Sequence, residues 1–146
     1  GNSCSVECTV YPLKVEKEVR GSVVAFRDIS ERKGLENRLR WQATHDALTE
    51  LYNRRYLEEQ LEIEVNRLQR SEELTALLYL DLDQFKYIND TAGHAAGDNL
   101  LIEVGRQLKL RMRESDVLAR LGGDEFAILL RNIEEHSVEE IADEFR

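Results

Sequence analysis

Two short acidic stretches of the sequence carry side chains that could do chemistry. The first is DLDQFK at residues 81–86, which ends an apolar run, so that Asp81 and Asp83 would share one strand face. The second is GGDEF at residues 122–126, where two glycines and two carboxylates lie between two further apolar runs. Carboxylates held close together repel each other unless a cation or a basic group lies between them. Mg²⁺ suits such a place, because it uses one or two carboxylates and leaves positions for phosphate oxygens.

Each acidic stretch alone also has a purely structural interpretation. A strand can turn polar as it leaves the core, with Lys86 as a partner for the acids, and Gly-Gly followed by acids can be only a hairpin turn. Two acidic stretches on separate strands favour chemistry instead. If the two strands are neighbours, Asp81 and Asp124 or Glu125 converge, and the site can hold one or two metal ions.

A third stretch, NDTAGHAAGD at residues 89–98, lies between the two acidic stretches. We interpret it as a glycine-containing loop that ends at a helix N-terminus. The side chains of Asn89 and Asp98 offer donors and acceptors suited to a purine edge, although these residue types are also common in turns and caps. His94 is interpreted as a hydrogen-bonded structural histidine rather than a metal ligand.

The composition excludes several classes of protein. The chain has 146 residues with 20 basic and 29 acidic side chains, and its net charge of −9 argues against broad binding to nucleic acid or anionic membranes. No apolar run approaches the ~20 residues that span a bilayer, and no signal peptide is visible, so we expect a cytoplasmic location. Cys4 and Cys8 are the only cysteines, which excludes a disulfide framework and a four-cysteine zinc site.

The N-terminal residues predict two strands and a polar helix. Residues 4–11 alternate in polarity and residues 22–29 are rich in β-branched side chains, with a charged loop at residues 14–20 between them. Ser30 is a plausible N-cap for a helix that continues to about residue 45. That helix is either a solvated connector or a short coiled coil, because its pattern covers too few heptads to decide.

Apolar periodicity predicts two longer helices in the rest of the chain. One covers residues 53–70, and the other runs from a cap at Asp98 or Asn99 to Met112. The predicted buried stripes are Leu57, Leu61, Val65 and Leu68 in the first helix and Leu101, Val104, Leu108 and Met112 in the second.

Between and after these helices the sequence predicts strands. The apolar run at residues 74–82 predicts a strand covered on both faces. Residues 117–121 and 126–130 predict a hairpin around two glycines, and a capping box at residues 137–140 opens a further helix. The order of these elements predicts an α+β fold with helices packed against a sheet.

Residues 46–146 resemble the GGDEF domain family, the diguanylate cyclases. Residues 1–29 resemble the last strands of a PAS sensor domain, and residues 30–45 resemble a signalling helix that links it to an output domain. The stretch around residues 81–98 is also similar to PAS–GGDEF proteins that carry a C-terminal EAL phosphodiesterase domain. The family motifs stand in the family's order and spacing, as DALT at 46–49, NRR at 53–55, DLDQFK at 81–86, ND at 89–90, GH and GD within 93–98, and the intact GGDEF at 122–126.

The resemblance implies a palm-like βαββαβ core, shared with nucleotide cyclases. It implies an enzyme that joins two GTP molecules into cyclic di-GMP, releases two pyrophosphates and works as a homodimer, because each domain binds one GTP. Asp81, the Leu82 carbonyl and Asp124 would hold Mg²⁺ or Mn²⁺. Glu125 would complete the acidic site and help to activate the attacking 3′-hydroxyl.

Four further residues are carried over from the family as contacts to the nucleotide. Asn89 and Asp98 would read guanine. Gly122 and Gly123 would let the backbone lie against the ribose and the α-phosphate. The chemistry would be in-line attack on an α-phosphate, in which positioning and charge neutralisation dominate.

Arg113 and Asp116 stand at the spacing of the family's inhibitory product site, an Arg-x-x-Asp just before the signature. Arginine offers a rigid fork for phosphate and guanine, and aspartate can accept from guanine N–H groups. The alternative is a helix C-terminus with a favourable cation and a polar exit.

Two departures from the family pattern are visible. Glu50 stands where the family has glycine in a Leu-Thr-Gly-Leu turn, and we expect it to perturb the local backbone. The family domain continues with further strands and with basic residues that reach the triphosphate, so we expect a domain that is incomplete after Arg146. Such a chain could lack the activity of its parent protein. The alternative function is therefore a catalytically silent domain that binds GTP or cyclic di-GMP and regulates a neighbour.

Overall fold

The computed structural model describes residues 4–15, 18–71 and 73–134. The chain divides into two compact units, Gly1–Ala43 and Thr44–Arg146. No helix within the described ranges is long and apolar enough to cross a membrane. The capping box predicted at residues 137–140 lies outside the described residues.

The first unit contains a two-stranded antiparallel sheet. Strands β1 (Val6–Val15) and β2 (Glu18–Asp28) pair from Val6 opposite Asp28 to Val15 opposite Glu18. The two predicted strands are confirmed. The predicted loop at residues 14–20 is wrong for most of its length, because the ladder of strand pairs continues as far as Val15 and Glu18.

Helix α1 (Ser30–Thr44) follows β2 and confirms the predicted polar helix, since none of its residues is buried. Ser30 is not its N-cap but its first helical residue. The Ser30 N–H donates to Asp28 Oδ1 at 2.8 Å, and the Ser30 hydroxyl accepts the Ser5 N–H at 3.0 Å. The side chain that accepts a backbone N–H at this helix start is therefore Asp28.

The described residues of the second unit form an α+β arrangement with a four-stranded sheet. Its elements in chain order are β3 (Tyr52–Asn53), α2 (Arg54–Leu68), β4 (Leu74–Asp81), α3 (Phe85–Ala92), α4 (His94–Leu110), β5 (Val117–Gly122) and β6 (Glu125–Ile133). The strand order is β3-β5-β6-β4, with β3 parallel to β5 and the other neighbours antiparallel. The predicted α+β fold is confirmed, and β3 and α3 are additions that the pattern does not predict.

Strand β6 forms the centre of the core, because both of its neighbours are strands and both of its faces are covered. Phe126 and Ile128 pack with Leu101 of α4 in one apolar cluster, and Ala127 packs with Leu57 of α2 in the other. Successive strand residues point to opposite faces, so the continuous apolar run at residues 126–130 serves both clusters.

Strand β4 is confirmed, but it is not covered on both faces as predicted. In the described sheet β4 pairs with β6 alone, and from Ala76 onward its residues alternate between half-buried and exposed. Tyr79 is 68% exposed, whereas Leu78 and Leu80 pack against the core. The continuous apolar run at residues 74–82 therefore does not mean that both faces of the strand are buried.

The buried stripe of α2 differs from the prediction at one position. Asn53 caps the helix, accepting the Tyr56 N–H at 3.0 Å, and Leu57 is buried as predicted. Val65, however, is 56% exposed, and its neighbour Glu64 is only 2% exposed. A carboxylate replaces an aliphatic side chain in the stripe because the surrounding elements supply its hydrogen-bond donors.

The predicted loop at residues 89–98 is wrong, because two helices meet there. Helix α3 ends at Ala92, Gly93 adopts a φ of +86°, and α4 begins at His94. The N-cap of α4 is therefore Gly93 and not Asp98 or Asn99. The predicted stripe of α4 is confirmed, since Leu101 is buried and its other members pack beside it in the core.

The predicted hairpin of β5 and β6 is confirmed, and Arg120 ties its turn to the start of the second unit. Arg120 Nη1 donates to Asp46 Oδ1 at 2.9 Å, while Nε and Nη2 donate to the Gly123 carbonyl at 3.0 and 2.7 Å. The Thr49 N–H and hydroxyl also donate to Asp46 Oδ1, at 2.9 and 2.7 Å. Burial raises the pKa of Asp46, but the Thr49 hydrogen bonds and Arg120 outweigh it and hold the pKa below its ordinary value.

Glu50 adopts a left-handed backbone at the position where the family has glycine. Its φ is +58°, and its N–H donates to the Asp46 carbonyl at 3.0 Å. A residue with a Cβ carbon loses roughly 1–2 kcal/mol in this conformation relative to the right-handed one. The turn is thus formed at a cost in free energy that glycine would avoid.

We expect Glu50→Gly to raise the free energy of unfolding by about 1 kcal/mol, because relief of the left-handed strain outweighs the extra freedom of glycine in the unfolded chain. Urea unfolding measures the change. Glu50→Ala is the matched control, since it removes the same carboxylate but keeps the Cβ carbon, and it should give no gain. Equal stabilisation by both variants would show that charge, and not backbone conformation, limits this turn.

We expect Asp46→Asn to lower the free energy of unfolding by about 1–3 kcal/mol at pH 7, because the variant loses the charge paired with Arg120. The folded-state pKa of Asp46 is depressed, so its stabilisation is present above the ordinary carboxyl pKa and is lost as pH falls through the folded-state value. The difference between the two proteins should therefore shrink at about pH 3.

Urea unfolding of both proteins at the two pH values measures this difference. Glu59→Gln is the control, because Glu59 pairs with Arg55 at 3.0 Å on an exposed helix surface. Such a pair contributes at most ~1 kcal/mol. A difference between Asp46→Asn and the unaltered protein that is as large at pH 3 as at pH 7 would contradict the electrostatic role of Asp46.

Candidate functional site

The two acidic stretches lie on neighbouring strands, as the sequence requires for a shared site. Asp81, the last residue of β4, is directly opposite Glu125, the first residue of β6. Opposed residues of an antiparallel pair have their side chains on one face, with Cβ atoms about 4.5–5.5 Å apart. Both side chains are exposed, and Asp124 is half-buried in the adjoining turn. The structure thus brings an acidic edge together at one end of the β4–β6 pair.

Asp83 does not share a strand face with Asp81, so that prediction is wrong. β4 ends at Asp81, and Asp83 lies in the turn that leads to α3. The chain reverses at Gln84, whose φ is +62°, and the Leu82 carbonyl accepts the Phe85 N–H at 3.3 Å. A carbonyl has two lone pairs, so Leu82 retains acceptor capacity beside Asp81.

The donor set at this edge fits a hard divalent cation. Asp81 and Asp124 carry carboxylate oxygens and Leu82 a carbonyl oxygen, which are the types of ligand that Mg²⁺ and Mn²⁺ take in proteins. No group of three or more His, Cys, Asp and Glu side chains within the described ranges is placed to hold a metal. Because Mg²⁺ takes octahedral coordination, a cation held by these donors would draw its remaining ligands from phosphate oxygens and water.

Arg54, which the sequence motifs did not assign to the site, lies beside the acidic edge. Its Nη2 donates to Glu125 Oε2 at 3.4 Å and its Nε to the Leu121 carbonyl at 3.3 Å. Both partners of the ion pair are more than half exposed, so the pair contributes little stability. Its effect is on position, because it directs the Glu125 carboxylate. The NRR motif at residues 53–55 was the available signal.

The two residues assigned to guanine lie on facing helices. Asn89 is on α3 and half-buried, Asp98 is on α4 and exposed, and α3 packs against α4. The Asn89 side-chain oxygen rests on Gly97, where an added Cβ carbon would lie only 2.0 Å from it. Gly97 therefore allows the approach that places Asn89 next to the backbone that carries Asp98. His94, interpreted as a structural residue, is exposed on the first turn of α4.

The signature glycines form the exposed turn between β5 and β6. Gly122 and Gly123 have φ values of +139° and +53°, which residues with side chains rarely adopt. Arg120 holds the Gly123 carbonyl, and no described atom beyond the adjoining residues lies within 4 Å of the position that a Cβ carbon would take at Gly122 or Gly123.

Arg113 and Asp116 form one compact turn after α4. Asp116 Oδ2 accepts the Arg113 N–H at 3.0 Å, and the Asp116 N–H donates to the Arg113 carbonyl at 3.1 Å. Asp116 Oδ1 also accepts from the Ser115 hydroxyl at 3.3 Å and the Arg131 N–H at 3.4 Å. A carboxylate has about four acceptor sites, so hydrogen bonds from Arg113, Ser115 and Arg131 occupy most of the acceptor sites of Asp116. Arg113 is exposed, so its guanidinium is accessible to a ligand.

A cleft of about 290 Å³ adjoins this turn. Its lining includes Lys109 and Arg113, and also His45 and Tyr52, whose ring centroids are 4.8 Å apart. The acidic residues of the lining are Glu50, Glu114 and Asp116. Aromatic surface next to cationic groups is the combination that accommodates a base and its phosphate.

The family model "Diguanylate cyclase, GGDEF domain" matches residues 43–146. The probable diguanylate cyclase DgcE of Escherichia coli (strain K12) is 43% identical over 143 residues, which is 97% of this chain. The chain spans only 13% of the length of that relative.

Solved structures show the same fold. The GGDEF domain of TpbB (YfiN) from Pseudomonas aeruginosa (PAO1) is 43% identical with a TM-score of 0.66, and the match covers 69% of this chain and 59% of that one. The coiled coil and GGDEF domain of DgcB from Caulobacter crescentus, in complex with c-di-GMP, is 28% identical with a TM-score of 0.75 and coverage of 81% and 62%. On the matched family model, the relatives and the fold, the chain belongs to the GGDEF domain family of diguanylate cyclases.

Proposed function

We propose that this domain is the catalytic output domain of a diguanylate cyclase, which condenses two GTP molecules into cyclic di-GMP and releases two pyrophosphates. The observation that carries the proposal is the register that sets Asp81 opposite Glu125 beside the intact signature turn. That register places an oxygen-rich acidic edge next to a glycine turn with an open backbone. The names of the relatives give the reaction class, and this chain is assigned it by similarity.

Asp81, the Leu82 carbonyl and Asp124 are the residues that we assign to a divalent cation. When bound, the cation neutralises charge on the nucleotide phosphates. The Gly122-Gly123 turn lies against the ribose and the α-phosphate, because backbone without Cβ carbons permits close approach. Arg120 keeps this turn fixed through the Gly123 carbonyl. These residues supply position and charge, which dominate in phosphoryl transfer.

Asn89 and Asp98 are assigned to the guanine edge, and Glu125 to the 3′-hydroxyl that attacks the α-phosphate. Glu125 is exposed and directed by Arg54, so it can accept a hydrogen bond from a hydroxyl at the acidic edge. The attacking hydroxyl and the α-phosphate belong to different GTP molecules. The reaction therefore needs two copies of the domain face to face.

The wider organisation follows the same proposal. Residues 1–29 are assigned to the end of a PAS sensor, residues 30–45 to the signalling helix, and residues 46–146 to the GGDEF domain. The paired strands β1 and β2 followed at once by α1 support this division. PAS control, a cytoplasmic location and a possible EAL domain in the parent protein belong to the proposal.

We expect Asp81→Asn and Asp124→Asn each to lower cyclic di-GMP production from GTP by ~100-fold or more, because removal of one electrostatic contact to a reacting group costs about that much. The full-length protein is assayed with GTP, with ATP, and with and without Mg²⁺, and the product is identified by mass spectrometry. Glu103→Gln is the control, since it removes an exposed carboxylate on α4. Product formation by either Asp variant at the unaltered rate would reject the metal assignment, and nucleotide binding without turnover by the unaltered protein would indicate the silent alternative.

We expect Arg113→Ala to weaken cyclic di-GMP binding by roughly ten-fold or more, because a charge-assisted hydrogen bond is worth ~1.5–3 kcal/mol and 1.4 kcal/mol is a factor of ten. Isothermal titration calorimetry measures the affinity. Arg111→Ala is the control, as it removes an exposed arginine two positions earlier. The same affinity before and after Arg113→Ala would reduce Arg113 to a helix-end residue.

A further inference from the structure

Glu64 of α2 is a carboxylate buried in the second unit, and three side chains satisfy it. Arg67 Nη2 and the Thr75 hydroxyl each donate to Oε1 at 2.7 Å, and Arg131 Nε donates to Oε2 at 3.0 Å. Burial raises the pKa of Glu64, but the hydrogen bonds from Arg67 and Thr75 and the charges of Arg67 and Arg131 hold it below its ordinary value. Glu64 is thus an ionised, fixed anchor that joins α2 to β4 and β6.

Arg131 of β6 extends from this anchor to the Arg113–Asp116 turn. Its Nη1 donates to the Ser115 carbonyl at 2.9 Å, and its backbone N–H donates to Asp116 Oδ1 at 3.4 Å. Its Nη2 donates to Gln60 Oε1 at 3.0 Å, so that every nitrogen of the guanidinium is engaged. The planar fork fixes the distance between Glu64 and the turn, because all three bonds share one rigid group.

We propose that Arg131 is a positioning residue of the cyclic di-GMP site, which holds the turn so that Arg113 presents its guanidinium to the ligand. The proposal rests on the product site under the proposed function. Arg131 need not touch the ligand, because its side chain is committed to Glu64, Gln60 and the Ser115 carbonyl. The buried Glu64 carboxylate on α2 therefore fixes the position of the turn that carries Arg113, in addition to the end of α4 that leads into this turn.

Arg67 provides an internal comparison, because it pairs with the same buried carboxylate but leads elsewhere. Its Nη2 also donates to Asn132 Oδ1 at 3.0 Å, and its Nη1 pairs with Glu73. Within the described part of the chain its side chain bonds to Glu64, Glu73 and Asn132, and none of these residues belongs to the Arg113–Asp116 turn. Weakening Arg67 disturbs the anchor, whereas weakening Arg131 disturbs both the anchor and the turn.

The test compares Arg131→Lys with Arg67→Lys in the full-length protein, titrated with cyclic di-GMP by calorimetry. Lysine keeps the charge beside Glu64, but a single ammonium cannot span Glu64, Gln60 and the Ser115 carbonyl together. We expect both variants to lower the melting temperature by similar amounts. Arg131→Lys should weaken binding about 3- to 10-fold, and Arg67→Lys should leave it within about two-fold, since only Arg131→Lys removes the contact to the Ser115 carbonyl.

Amide hydrogen exchange distinguishes positioning of the turn from a general loss of stability, because it measures the protection of the turn amides themselves. The N–H groups of Arg113 and Asp116 are bonded within the turn. They should exchange faster in Arg131→Lys and at the unaltered rate in Arg67→Lys. The unaltered protein is also measured alone, so that the test stands even where a variant fails to fold. Turn amides that exchange as freely as unprotected ones in that protein would overturn the proposal.

The remaining outcomes are equally decisive. Unchanged affinity in Arg131→Lys, or equal losses in both variants, would show that Arg131 serves stability alone. Failure of the unaltered protein to bind cyclic di-GMP would overturn the product site itself, and with it this role of Arg131. That result is seen before any substitution is made, so it is distinct from a failure confined to Arg131.

Discussion

The register of β6 between β5 and β4 is the constraint on which both candidate sites depend. It sets Glu125 opposite Asp81 at one end of the strand, and it brings Arg131 to the Arg113–Asp116 turn at the other. A slip of one residue would turn Phe126 and Ile128 out of their cluster and exchange the faces of every side chain on the strand. The strand's two buried faces make such a slip costly, so the apolar core specifies the polar geometry at both ends.

An arginine holds the turn at each end of this hairpin, and a carboxylate orients each arginine. At the signature turn, Arg120 donates to the Gly123 carbonyl and pairs with Asp46 at 2.9 Å, with side chains only 11% and 24% exposed. At the product turn, Arg131 donates to the Ser115 carbonyl and pairs with Glu64 at 3.0 Å. A planar guanidinium suits both places, because it can bond a carboxylate and a carbonyl in one fixed geometry. Partial burial makes these pairs stronger positioning devices than the exposed pair of Arg54 with Glu125.

Sequence reasoning succeeded where a feature depends on neighbouring residues and failed where it depends on distant ones. The hairpin and the α4 stripe follow from local periodicity and turn chemistry. The burial of Glu64 could not be predicted, because Thr75 and Arg131 lie on other elements. Neither could the exposed face of β4, since strand order decides it. The eight-residue α3 was missed because glycine-flanked Asn and Asp are typical of loops as well. The sequence predicted that the two acidic stretches converge if their strands are neighbours, and β4 and β6 are neighbours. The roles of the site residues stay predictions, as does the division into PAS, linker and GGDEF segments.

The shared hairpin also decides how variants of this domain can be interpreted. Residues such as Phe126 and Leu129 belong to the core beneath both sites, so their substitution lowers stability and displaces both turns together. A substitution that changes one site and leaves the other intact is therefore expected at side chains outside the core, at the end of β6 where that site lies. Arg120 and Arg131 are such groups, because each contacts one turn and one carboxylate. Side-chain contacts at each turn therefore affect one site at a time, whereas the backbone register of β6 affects both sites together.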